Sequence, residues 1–209
     1  VFLYRFARSL WDLHGDLRQI APKADMWNPL SLVPAGMHPW LLVISIVLFL
    51  TLGYFMQQLV APVQPRPLCL QFAWSNTRAS EILTAWNKAD GAVRRVRLNL
   101  ALDFVFIVIY VTGLAVACTL AADALGAARW PGAGMGGALV WAIIIAGLLD
   151  AVENVAQLRM LAGHTTQPWP ALVSVCASVK FLLAALALLY ALYGGAAFVF
   201  RCFEARFGS

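Results

Sequence analysis

The chain has 209 residues, of which 62% are hydrophobic and 12% charged, with a formal net charge of +5 and a mean hydropathy of +0.77. A soluble domain carries about a quarter charged residues because its surface faces water, so this composition excludes a conventional soluble exterior; the apolar and aromatic content also excludes a disordered chain. The positive balance belongs to loops that face anionic lipid, and no nucleic-acid-binding module is recognisable.

Residues 1–38 read as an amphipathic interfacial segment. Leu3, Phe6, Leu10, Leu13, Leu17 and Ile20 recur at steps of three and four, while Arg5, Arg8, Asp12, Asp16 and Arg18 occupy other faces. The same stripe suits a helix in the headgroup layer anchored by Trp11, or a helix that docks a protein partner. The first twenty residues are too charged for a signal-peptide core.

Four apolar stretches follow, at about residues 40–60, 98–121, 137–158 and 171–200. Each is long enough to cross a bilayer, which takes about 20 residues. None contains proline; Pro39 opens the first, and Pro62, Pro65 and Pro67 follow its end. Between the first two, Ala79, Ile82, Leu83, Trp86, Ala89 and Val93 predict a second interfacial helix over about 77–95, with Asn76 and Thr77 as cap candidates. Pro131 with Gly132, Gly134, Gly136 and Gly137 makes a turn before the third stretch. Residues 201–209 read as a tail. The expected fold is all-α: a polytopic membrane protein whose residues 39–200 form a four-transmembrane-helix bundle, with two interfacial amphipathic helices. Lys and Arg divide evenly between the two sides. The dense group Arg94, Arg95 and Arg97 abuts the second span, which makes the loop between spans one and two the expected cytoplasmic side.

Four ionisable residues fall deep inside spans, where each costs about 2.5–3.5 kcal/mol on insertion scales. They are Asp103, Asp150, Glu153 and Lys180. Counting from the span ends on the Arg97 side at 1.5 Å per residue, all four lie about 9–14 Å deep, in one layer. Asp150, Glu153, Asn154 and Gln157 are spaced i, i+3, i+4 and i+7 and form one polar stripe; Asn99, Asp103 and Tyr110 share a face of the second span. Stripes of this kind must face protein, so they are expected to face each other, with Lys180 as the only deep cation and Tyr110 closing the floor. Three acids against one lysine leave two uncompensated charges, so either some acids hold protons or a cation or cationic ligand binds. A structural salt bridge among Asp103, Asp150 and Lys180 is the competing reading.

Other chemistry has no motif behind it. Cys69, Cys118, Cys176 and Cys202 are widely spaced, His14, His38 and His164 lie near or outside span ends, and no hydrolase, kinase or phosphate-loop pattern occurs. The sequence names no cofactor, and the nature of any bound metal stays open.

The pieces Leu70 to Phe72 with Ser75, Arg78 to Leu83, Leu102-Asp103-Phe104 and Leu149-Asp150-Ala151-Val152-Glu153-Asn154 resemble those of uncharacterised small bacterial four-span integral membrane proteins, over roughly residues 40–195. The resemblance implies a four-span fold in a bacterial inner membrane, in contact with lipid, and no activity. Three functions are therefore weighed. The first is a binding or transport protein whose Asp103, Asp150, Glu153 and Asn154, with Lys180, Tyr110, Asn99 and Gln157, hold a proton, cation or small ligand. The second is a non-catalytic accessory subunit docked through its N-terminal helix, and the third a lipid-modifying membrane enzyme.

Overall fold

A computed structural model describes residues 28–207. The apolar pattern from Leu3 to Ile20, and with it the docking reading, lies outside these residues. After two short 3-10 turns, Pro29–Leu32 and Ala35–Met37, the chain forms α1 (His38–Val60), α2 (Leu68–Gln71), α3 (Asn76–Lys88), α4 (Ala92–Ala128), α5 (Gly136–Leu161) and α6 (Trp169–Phe207). No strand occurs among the described residues. The helices α1, α4, α5 and α6 are each long and apolar enough to cross a membrane. In an apolar solvent a helix is the economical choice, because it satisfies every backbone N–H and C=O within its own segment.

Helix boundaries depart from the apolar stretches for local reasons. The helix before the second span ends at Lys88, not near residue 95, because Ala89 leaves the helical conformation and Gly91 adopts a φ of +68°. Val93 and the Arg94–Arg97 group therefore belong to the first turns of α4. The cap of α3 is Ser75 rather than Asn76 or Thr77: its hydroxyl accepts the Arg78 N–H at 3.2 Å. At the other end of the chain, α6 runs past residue 200 to Phe207, through most of the expected tail.

The chain divides into two compact units, each drawing on all four long helices. One comprises Val47–Tyr110 and Ile145–Leu182. Its core joins the apolar face of α3 (Ala79, Ile82, Leu83, Trp86) to Val63, Leu70, Val96, Leu100, Ala156, Met160 and Val173. The stripe that predicted a helix lying in the interface is thus consumed by packing onto the long helices. The Trp86 indole N–H donates to Pro65 O at 2.7 Å, fixing the ring in place. Arg95 and Arg97 donate to Leu59 O and Leu161 O at 3.5 and 3.4 Å, close to the ends of α1 and α5. Cations at helix C-termini satisfy orphan carbonyls and oppose the macrodipole.

The other unit includes the described residues up to Ile46, Val111–Ile144 and the chain from Leu183 onward. Small side chains dominate its core: Ala115, Cys118, Ala121 and Leu125 meet Val140, Ile143, Ala187, Tyr190 and Ala197. Without a hydrophobic force between helices in lipid, close van der Waals contact takes over, and small residues permit it. The crossing of α4 and α6 is the tightest case. A Cβ built on Gly194 would sit 2.2 Å from Ala121 Cβ and 2.4 Å from Ala121 Cα, whereas one on Gly195 meets nothing within 4 Å. Gly194→Ala is therefore expected to lower stability by about 1–3 kcal/mol, the usual range for overpacking. Gly195→Ala should leave it unchanged or slightly higher. Thermal unfolding of the two purified variants checks this, and equal midpoints would contradict the close approach.

Candidate functional site

The site grows from one helix. On α5, Asp150, Glu153, Asn154 and Gln157 follow one another around a single face, and Glu153, Asn154 and Gln157 are 0%, 1% and 1% exposed. A helix otherwise largely apolar can present such a stripe only to other protein groups. Neighbouring helices supply them. From α4, Tyr110 donates its hydroxyl to Asp150 Oδ2 at 3.1 Å, and Asp103 Oδ2 accepts the Asn154 Nδ2–H at 2.6 Å. From α6, Lys180 donates to Asp150 Oδ1 and stands 2.7 Å from Glu153 Oε2. Within α5, Gln157 Nε2 donates to Glu153 Oε1 at 2.8 Å.

Seven of the eight residues singled out in the sequence thus take part: Tyr110, Asp150, Lys180, Glu153 and Gln157 in one bonded set, and Asp103 with Asn154 as a second pair, Asn154 following Glu153 on α5. Asn99, half-buried one turn before Asp103, takes no part in these bonds. The pairing also differs from the salt-bridge reading in which Asp103 joins Lys180. The ammonium is shared by Asp150 and Glu153, and Asp103 faces a neutral amide instead. The helix register explains this: Asp150 and Glu153 are one turn apart on α5, so one lysine reaches both.

Two groups of aromatic rings border the network and were not signalled by spacing. The Lys180 ammonium lies 5.2 Å from the Phe181 ring centroid, and that ring stacks on Phe72 at 6.1 Å. Phe106 stands between Phe49 and Tyr110, at 4.9 and 6.1 Å. Toward α3 the network is closed by apolar residues. Leu100 lies three residues before Asp103, Met160 three beyond Gln157 and Val173 seven before Lys180, and all three pack in the cluster covered by Ile82, Leu83 and Trp86. The network therefore borders that apolar cluster on its α3 side.

The orientation of the two amides follows from their partners. An ionised carboxylate accepts only, and Asn154 and Gln157 point their nitrogens at Asp103 and Glu153 accordingly. Their oxygens, Asn154 Oδ1 and Gln157 Oε1, are buried and have no hydrogen-bond partner. Among the described residues, no group of three His, Cys, Asp or Glu gathers with the geometry to hold a metal ion.

No protein-family model, curated protein or solved structure matches the chain. The class defined by the fold and the network is therefore the broad one: among the described residues, an all-helical structure with four helices long and apolar enough to span a membrane.

Removing the ammonium leaves Asp150 and Glu153 buried without a counter-charge, which typically costs about 3–5 kcal/mol. Lys180→Met should accordingly destabilise the chain by about that amount at neutral pH. The loss should shrink on acidification, because a proton taken up by the buried, now unpaired, acids replaces the missing charge. Thermal unfolding at neutral and acid pH measures both effects, and an equal loss at the two would contradict the ion-pair account.

Proposed function

We propose that the chain is a multi-pass protein of the bacterial inner membrane, its loop between the first two spans on the cytoplasmic side, that binds and releases a proton at Asp103. The observation that carries this reading is the division of partners. Asp150 and Glu153 share the Lys180 ammonium, while Asp103 receives only the amide of Asn154. Fully ionised, three carboxylates and one ammonium would leave an excess of negative charge in a setting that strongly disfavours it. Neutralising the acid that lacks a cation is the least costly remedy.

Position favours the same acid. Asp103 is half-buried, whereas Asp150 and Glu153 are enclosed and already held by Lys180, Tyr110 and Gln157. The fixed ion pair then acts as the electrostatic background against which Asp103 gains and loses its proton. A protonated Asp103 can donate to a neighbour; an ionised one can only accept. Each exchange therefore changes the bonding of Asn154, on the adjacent helix, and gives the two helices a means of coupling proton uptake to movement or transport.

Proton uptake by the purified chain, followed with an indicator dye as the pH is stepped down in weakly buffered solution, tests the reading. The expected outcome is that Asp103→Asn removes one proton from the uptake of the parent chain while unfolding at the same temperature. Uptake unchanged in Asp103→Asn would overturn the assignment.

A further inference from the structure

Asn154 Oδ1 and Gln157 Oε1 are fully buried acceptors with no donor, on one face of α5 a single turn apart. Buried polar atoms in folded proteins are almost always paired, so two orphans of the same kind beside an excess of carboxylates mark a place for something positive or donating. The amide nitrogens are held by Asp103 and Glu153, so neither side chain can rotate its oxygen into a bond without giving up the one it has. An occupant must come to the oxygens.

Resting on the reading of Asp103 given above, we propose that Asn154 Oδ1, Gln157 Oε1 and the Asp103 carboxylate hold a monovalent alkali cation, which competes with the proton for that carboxylate. Oxygen donors from amides and a carboxylate suit a hard cation, not one that prefers nitrogen or sulfur. Charge argues for a single one. Asp150 and Glu153 are engaged by Lys180, leaving Asp103 as the one carboxylate to offer, whereas a divalent ion such as calcium draws on several oxygen ligands with more than one carboxylate among them. Size argues against an organic amine. Side chains this enclosed, tied by direct contacts of 2.6 and 2.8 Å, could not take in a polyatomic guest without breaking those contacts. The half-buried Asp103 is the point of entry.

The test uses the full chain in detergent at constant ionic strength, with sodium, potassium or choline chloride. At alkaline pH the unfolding temperature should be higher in sodium or potassium than in choline, and the difference should vanish at acid pH, where the proton occupies Asp103. Adding the favoured salt to weakly buffered protein at intermediate pH should release protons. Asn154→Leu/Gln157→Leu should lose the salt-specific shift; because that variant removes two buried hydrogen bonds and could fail to fold, Asp103→Asn must lose it as well. Equal unfolding temperatures in all three salts, or a shift retained in Asp103→Asn, overturns the cation site. Should that happen while dye-reported proton uptake in choline persists in the parent chain and is lost in Asp103→Asn, the proton reading stands alone; absence of both phenomena removes the two together.

Discussion

A single ammonium group set between two carboxylates, in a stretch of chain with almost no other charge, is the interaction on which the rest depends. Lys180 reaches Asp150 and Glu153 because those acids are one turn apart on α5. The attraction is strong in apolar surroundings, but so is the cost of taking three charges out of water, and the pair is held only because Tyr110 and Gln157 satisfy the remaining carboxylate oxygens. That arrangement uses up the available positive charge. Asp103 is left with an amide, and its ionisation is the variable on which the proposed function turns.

The surroundings serve this arrangement. The apolar face of α3 packs through Ile82, Leu83 and Trp86 in the cluster that borders the network, and the arginines Arg95 and Arg97 bind carbonyls near the ends of α1 and α5. Elsewhere in the chain, cohesion comes from a different source, the close approach of α4 and α6 at Ala121 and Gly194.

Much of this was legible in the residues. Four apolar runs announce four long helices, and the i, i+3, i+4, i+7 stripe of Asp150, Glu153, Asn154 and Gln157 announces a face that must meet protein. Periodicity places residues on a face but does not say which residue across the gap each one meets. Asp103 pairing with Asn154, and Lys180 with Glu153, depends on the rotation and axial offset of separate helices, which no single segment encodes. The start of α4 at Ala92 was hidden because its first turns carry the charges of Arg94, Arg95 and Arg97, which composition assigns to a loop. The stripe on α3 was visible, yet its destination was not: an apolar face reads the same whether it meets lipid or the ends of other helices.

The central claim is that the network holds a proton on the one acid without a cation. Infrared difference spectroscopy of the chain in lipid reports a protonated carboxyl directly through its carbonyl stretch, which an ionised carboxylate lacks. The account predicts such a band at neutral pH, present in the parent chain and in Glu153→Gln and absent in Asp103→Asn. A parent chain that shows only ionised carboxylates at neutral pH, or a band that survives Asp103→Asn, would contradict it.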